Sequence, residues 1–525
     1  MVYGSTPGGI MAAIASSRNG ARTLLVDPSP RLGGVCAGGL GRTDKGNAKV
    51  IGGQAQEFFL RNARHYHPEV NQTDPASDAT EGGYFLEPHV AENIFTAMLQ
   101  EAGVHYIKTS GVPLSSVDRQ GTVITGLHLG DDTYLSGTVF IDGTYEGDLM
   151  AVSGASFTFG REASSVYKES FGGRREPFGR IDWATVSPYR PDGTLMYPLV
   201  TNEFAAPLGS GDNKVQDYNF RLCVTKNSSN KIPFPKPSNY NRSDWELLFR
   251  YAKEGECYGD TLDSYLADLL PVPNGKFDLN NGGLFSTDCA GCSWTYPNAS
   301  DSERRALVQR HVDYQQGYLW TLANDEAIPK AVRDALNEYG LCADEFTNSI
   351  LGAHWPEQLY VREARRMIGD AVFTQNDVTA QRAYSASNES AGMGSYNFDA
   401  HYSHRGPCLP NKDRNGCTML TADDPPLTNA EKANSSIVWT GGEGFGGNLD
   451  AIYELPYSLL LPKRAEVTNL LCPLTPSVTH VALATVRMEP QFMILGQTAG
   501  TAAAICSRNG SATAVHDVDR WVCHV

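Results

Sequence analysis

No apolar run in this 525-residue chain approaches the roughly 18 residues that a membrane-crossing helix needs, which points to a soluble protein without a membrane partner. Basic residues are in deficit, 43 Lys and Arg against 59 Asp and Glu, for a net charge of -16. That balance disfavours a phosphate backbone or an anionic bilayer, both of which need a basic face, so nucleic acid drops out as a partner. The chain has no long single-sign block, no internal repeat and no low-complexity segment. It shows no signal peptide, and only Met1, Val2 and Tyr3 precede the first glycine turn, where a buried strand of about five residues is usual. The chain is expected to begin inside its first strand, with a leader removed ahead of it. A second cysteine pair at metal spacing is missing beside Cys289 and Cys292, so no metal site is expected and a local disulfide, or separate bridges, fits better. Cys408 and Cys417 bracket a polar loop and look paired.

The eleven cysteines are many for the cytosol and few for a disulfide scaffold. Seven Asn-x-Ser/Thr sequons, against roughly four expected by chance, lean towards a secreted glycoprotein, with the cytoplasm as the alternative. The length exceeds what one hydrophobic core serves, so two domains are expected, one interrupting the other.

The opening reads as strand, glycine-rich turn, helix (10–19) and strand (23–26), followed by helices over 53–65 and 87–102. Short alternating runs from Val104 to Asp142 predict a strand and a β-meander. The stretch 166–439 is richer in Pro, Asn and Trp, has a helical block over 302–322, and reads as an inserted α+β domain between 1–165 and 440–525. Near the end, HVALATV (480–486) has a strand-like pattern, and a small-residue helix is predicted to start near Gly496 and end at Gly510.

Gly4-Ser5-Thr6-Pro7-Gly8-Gly9 fits G-x-G-x-x-G with Thr6 at the middle position, and Asp27 follows Gly4 by 23 residues at the end of the second strand. In a dinucleotide site, Gly4 allows the tight turn and Gly9 the close approach of helix to sheet. The helix N-terminus then faces the pyrophosphate, and Asp27 accepts from the adenosine ribose hydroxyls. An ordinary βα turn carries the same pattern. An acid at 27 disfavours a 2′-phosphate. Pro28, Arg31, Gly33, Gly34, Val35, Cys36, Gly39 and Leu40 follow directly, a stretch that lets backbone approach a flat ligand. A second match at 442–447 leads to Pro456 without a clear helix and reads as a decoy, which leaves no credible separate NAD(P)H site.

These segments, with FLEPHVAENIF, FIDGTYEGDLMAVSGASFTFGRE, LYVREARRMIGD, GMGSYNFDAH, YELPYSLLLPK and VRMEPQFMILGQTAGTAAA, resemble nearly end to end the FAD-dependent oxidoreductase family of glutathione-reductase-like flavoproteins, in the branch that includes proteins labelled xanthan lyases. The resemblance implies an α/β protein. Its Rossmann-like, three-layer FAD-binding domain with a β-meander would be built from both chain ends, with a substrate domain inserted between them. It implies FAD, bound near Asp142 and Gly143 and near Arg487. Gly496, Gln497, Thr498, Gly500 and Thr501 would lie on a helix whose positive end faces the flavin. Close helix packing by small residues explains GQTAGTAAA equally well.

With a flavin, the expected step is hydride transfer from a small or medium organic molecule. A dehydrogenase or oxidase needs a base for the accompanying proton. His401 falls at the family's Asp-x-His, with Asp399 as its orienter on the same strand face. Arg362, Glu363, Arg365 and Arg366 are predicted on one short helix whose guanidiniums grip an anion, or form an internal Arg-Glu network. Tyr453, Tyr457 and Lys463 are pocket-lining or packing residues, and Cys36 could attach the ring covalently or lie inert. The alternative reading is a lyase or carbohydrate-binding protein with a structural or vestigial FAD. The sequence leaves the oligomeric state open.

Overall fold

The structure is a computed structural model that describes residues 1–69, 80–109, 111–175, 186–196, 200–201, 206–254, 261–282, 285–380, 389–411, 416–419, 425–440, 443–444, 452–508 and 514–518. The chain divides into two compact units. The first comprises Met1–Phe159, Glu363–Phe398 and Gly446–Val525, and the second Gly160–Arg362 and Asp399–Phe445.

The first unit is built on a parallel sheet in the order Leu470–Leu471, Phe140–Asp142, Val2–Tyr3, Leu24–Asp27, His105–Lys108. The shortest sequence expectation, three residues of leading strand, becomes the central position of this sheet. Val2 and Tyr3 pair with Leu25 and Val26 on one side and with Ile141 and Asp142 on the other. Between the strands at 105–108 and 140–142 runs the expected meander, Leu114–Gln120, Val123–Leu129 and Tyr134–Ser136. Its inward residues Ile124, Leu127 and Leu129 join Tyr3, Val26, Phe140, Leu149 and Leu470 in one core, so the meander seals a face of the sheet.

Helices Pro7–Arg18, Gly53–Tyr66 and Pro88–Glu101 match their predicted places within a few residues. Helix Pro7–Arg18 has Thr6 as its N-cap and Pro7 in its first turn, where a missing N–H costs nothing. It lies against the helix Glu489–Arg508 with backbone touching backbone. A Cβ added to Gly496 would stand 2.0 Å from Gly8 O, and one added to Gly500 2.1 Å from Ala12 O. Both contacts advance by four residues in the same sense, so the two helices run parallel.

Three local expectations need correction. HVALATV is a helix, His480–Val486, capped by the Thr479 hydroxyl, which accepts from Ala482 N. Val481, Leu483 and Thr485, separated by alanines, suggested a strand, and the cap decides otherwise. The final helix begins at Glu489, seven residues before the predicted start, because Pro490 sits in its first turn instead of breaking it. Residues 361–365 are not helical, and Arg366–Met367 pairs with Phe157–Thr158 as a short strand. The same pairing, together with Ser390–Gly394 against Tyr453–Pro456, draws 363–398 into the first unit, although the sequence reading gave that segment to the insert.

The second unit holds an antiparallel sheet in the order Lys231–Ile232, Gly340–Cys342, Leu222–Thr225, Lys276–Leu279, Leu269–Val272. The helix Asp301–Asn324 belongs to this unit too, started by a capping box between Ser300 and Glu303. Trp245, Tyr251, Phe285, Tyr314 and Tyr318 form an aromatic cluster within it. It is an α+β unit, as expected of the insert.

Replacing Gly500 by Val should force the parallel helices apart and cost about 1–3 kcal/mol or more, as overpacking does. Urea unfolding monitored by circular dichroism checks this through a lowered midpoint at unchanged slope.

Candidate functional site

The dinucleotide turn has the geometry that its residues dictate. Gly4 adopts φ +103°, donates its N–H to Val26 O at 2.8 Å, and has no room for a side chain, since a Cβ would stand 2.6 Å from Gly143 C. A Cβ on Gly9 would meet Gly4 O at 2.2 Å, so here the helix approaches the sheet as closely as backbone allows. Thr6 ties the turn down: its hydroxyl donates to Gly143 O at 2.7 Å and accepts from Gly9 N at 3.2 Å. The N–H of Gly9 is therefore spent on the cap and Pro7 has none, which leaves Gly8 as the free amide of the helix's first three residues that can face an anion.

Asp27 ends the second strand fully buried. Its Oδ1 accepts from Ser29 N at 3.0 Å and from the Ser29 hydroxyl, and its Oδ2 accepts from the Tyr106 hydroxyl at 2.8 Å. The Asp27 carboxylate raises the Tyr106 phenol, after burial, which contributes most. A carboxylate offers about four acceptor positions, so capacity for a ribose hydroxyl remains. Pro28 begins the loop after that strand, and Arg31 is held by an ion pair with Glu92. Gly33 donates its N–H to Ser5 O at 2.9 Å, which lays the Gly33–Leu40 stretch against the turn, and Leu40 N returns to Val35 O at 3.0 Å. Asp142 is consumed internally: its carboxylate accepts from Thr144 N and hydroxyl and from Met150 N, and burial raises it to about 6 against these bonds.

The carboxy-terminal segment differs from expectation in a way that changes roles. Gly496, Gln497 and Thr498 lie inside the helix, not at its start, so their N–H groups are not free to face a flavin. Gln497 Oε1 instead accepts from Gln54 N at 2.7 Å, capping the helix Gly53–Tyr66. Thr498 donates to Ala391 O at 2.8 Å and Thr501 to Gln497 O at 2.9 Å. Gly496 and Gly500 pack closely against Gly8 and Ala12. Tyr453, Tyr457 and Lys463 likewise direct their polar ends to Thr485, Val515 O and Ser156.

The free end of the final helix starts at Glu489. With Gly496 opposite Gly8, this end reaches about 10 Å beyond the level of Gly8, at 1.5 Å per residue. Glu489 Oε1 accepts from the Tyr145 hydroxyl at 2.8 Å, and that hydroxyl accepts in turn from Val35 N at 3.2 Å. A Cβ on Gly34 would meet the same hydroxyl at 2.6 Å and Pro7 Cδ at 2.8 Å. Turn, loop and helix end thus meet around Tyr145. Burial pushes the Glu489 carboxyl up to about 8, opposed by the Tyr145 bond and the Arg487 charge. The Cys36 thiol is pushed well above its usual value by burial and by Glu489, which makes it a poor nucleophile. The sequence reading missed Glu489 and Tyr145. An acid two residues after Arg487, at the mouth of a twenty-residue helix, was the available signal.

In the second unit the residues around His401 form a compact ionic cluster. His401 Nδ1 lies 2.9 Å from Asn281 Nδ2 and 3.3 Å from Asp288 Oδ2, while Nε2 lies 3.6 Å from Asp399 Oδ2. Arg362 Nη1 donates to Asp288 Oδ1 at 2.8 Å and also to Asp217 O. Burial alone would raise Asp288, but the Arg362 charge and the His401 contact outweigh it and hold the carboxyl at about 2. Asp217 is the counterpart, raised well above the usual carboxylate range by burial and by Asp288. The predicted guanidinium face does not exist: Arg362 serves this cluster, Arg365 pairs with Asp148, and Arg366 pairs with Glu363, which also holds His480. A cavity of about 390 Å³ in the same unit is lined by Tyr240, Trp245, Tyr314, Cys289, Asp244 and Asp313. Cys289 and Cys292 are joined in a disulfide and Cys408 is also disulfide-bonded, while the Cys417 side chain and the motif at 442–447, apart from the backbone of 443–444, lie outside the described residues.

A parallel sheet with a glycine-turn helix, a meander and a second helix end converging on that turn defines a dinucleotide-binding α/β protein. The profile of the FAD dependent oxidoreductase family matches residues 1–523, and the chain belongs to that family. No curated protein matches the sequence. Among solved structures it is similar to the anhydrotetracycline hydroxylase OxyS from Streptomyces rimosus, at 15% identity over 31% of this chain and 34% of that one, with a TM-score of 0.23. It is also similar to THI4 from Thermovibrio ammonificans, at 14% over 30% and 62% with a TM-score of 0.21, and to L-proline dehydrogenase from P. horikoshii, at 13% over 31% and 57% with a TM-score of 0.22. The chain spans about a third of the hydroxylase's length, and at these scores the likenesses carry no argument.

The family's cofactor is FAD, and the residues present fit it. Among the described residues, Glu489 Oε2, both amide atoms of Gln491 and the Thr43 hydroxyl are buried without a hydrogen-bond partner. Leaving such groups unmet costs about 1–3 kcal/mol each, a cost that a polar ligand reaching them in the first unit would relieve.

Removing the Arg362 guanidinium, as in Arg362→Met, strands the Asp288 carboxylate in a site where the pair is almost wholly buried. Stability should fall by about 3–5 kcal/mol. Acid modulates the loss in a stated direction: the depressed Asp288 contributes fully above its unfolded value and loses that contribution as pH falls through about 2. Chemical denaturation of both proteins at neutral pH measures the difference.

Proposed function

We propose that the protein is a dehydrogenase or oxidase that removes a hydride from a C–H bond of a small or medium organic substrate while His401 takes the accompanying O–H or N–H proton. Bound FAD supplies the hydride acceptor, its N5 atom. The observation that carries this reading is the setting of His401 between two carboxylates, Asp288 at Nδ1 and Asp399 at Nε2. An imidazole that has taken a proton gains from both neighbours, so proton removal is helped at the moment that charge develops. Arg362 keeps Asp288 ionised and in place. Asn281 Nδ2 donates to Asp288 Oδ2 at 3.0 Å, which holds that carboxylate against the imidazole. The backbone of His401 is anchored by Gln216 Oε1, at 2.8 Å from its N–H. The reacting nitrogen in this reading is Nε2, on the side of the half-exposed Asp399.

Purified protein should be yellow, and substrate added without oxygen should bleach the flavin band. His401→Ala should slow that bleaching about a hundredfold in stopped-flow measurements. An unchanged rate removes His401 from the role of base.

We propose also that the chain is secreted. The sequon asparagines 227, 241, 298 and 434 are all exposed, and two disulfide-bonded sites, Cys289–Cys292 and Cys408, suit an oxidising compartment. Protein expressed through a eukaryotic secretory route should lose apparent mass on treatment with an N-glycosidase.

A further inference from the structure

We propose that Glu489 binds the cofactor as a neutral acid, donating a hydrogen bond from Oε2 to an acceptor oxygen of the dinucleotide. The inference rests on the FAD reading of the first unit and assigns a role in it to a residue outside the glycine turn.

Glu489 is 5% exposed, and its two oxygens are unequal. Oε1 is already the acceptor for the Tyr145 hydroxyl, whereas Oε2 has no partner among the described residues. In a neutral carboxyl the proton resides on the oxygen that is not accepting, so Oε2 is the donor. The helix that carries it is twenty residues long and opens here, next to the Pro7, Gly34 and Tyr145 contact that joins the dinucleotide turn to the following loop.

Charge argues the same way. A carboxylate buried near a diphosphate would meet like charge in a medium of low dielectric, whereas the neutral acid meets an acceptor. The titratable and charged groups facing Glu489 are Tyr145 from the 142–150 turn, Cys36 from the short helix Gly34–Ala37, and Arg487 on its own chain segment. Tyr145 and Cys36 are both raised well above their usual values, and Arg487 stays charged. Glu489, raised to about 8, is the one among them whose charge changes in the neutral-to-alkaline range.

The sign follows by linkage. Binding that requires the proton is at full strength below the carboxyl's own value and weakens as pH rises through about 8. The test is release of flavin from diluted holoprotein, followed by the rise of free-flavin fluorescence between about pH 6.5 and about 9.5. The FAD dissociation constant should be flat at the acid end and climb by up to about tenfold per pH unit above the transition. Glu489→Gln keeps a donor and removes the titration, so it should hold FAD nearly as tightly as the parent with no pH dependence. Glu489→Leu should release FAD about tenfold more readily at the acid end, again without pH dependence. A flat parent profile, or a climb that survives in Glu489→Gln, overturns the proposal. A purified protein that carries no flavin and takes up none would fail the FAD reading itself, a different result from a flavin-loaded protein with a flat profile.

Discussion

The first unit depends on one contact, backbone against backbone, between the helix after the glycine turn and the last long helix of the chain. Gly8 and Ala12 on one side and Gly496 and Gly500 on the other leave no space for larger groups. Dispersion at such short range is strong, but the more important result is register. The pairing fixes how far the Glu489 end projects past the turn, and so where a buried acid, a phenol and a loop of small residues come together. A change of one residue in that register would rotate Glu489 by about 100° around its helix axis, away from Tyr145.

The two ionic sites handle burial in opposite ways. Around Asp288 a guanidinium, an amide and an imidazole supply enough favourable contacts to keep the carboxyl ionised. Around Glu489 a single phenol and a more distant arginine do not, and the carboxyl keeps its proton. The same side-chain chemistry therefore yields an acceptor in one unit and a donor in the other, decided by the number of hydrogen bonds delivered to each.

Much of the first unit was legible in the sequence because its signals are local. The turn at 4–9, the acid at 27, the meander and the amphipathic helices all appear as patterns within about twenty residues. The proximity of Asp399 and His401 could be read because they are near neighbours in sequence. What was not legible depends on distant partners. The Gln497 amide looks like a ligand for a cofactor until Gln54, 443 residues away, is seen to take it. Arg362, Arg365 and Arg366 share a helical spacing, yet strand pairing of Arg366 with Thr158 spreads them over different partners. The helix start at Glu489 was hidden by Pro490, whose two meanings, break or first turn, differ only in what lies ahead of it.

The parallel sheet is completed by Leu470–Leu471 beside Phe140–Asp142, and the helix after the glycine turn is covered by residues synthesised more than four hundred positions later. A nascent chain therefore carries its glycine turn, with Ile10, Ile14 and their neighbours unprotected, through the synthesis of several hundred further residues. At about 5–20 residues per second that exposure lasts tens of seconds or more, long enough for chaperone engagement to shape the yield of folded protein.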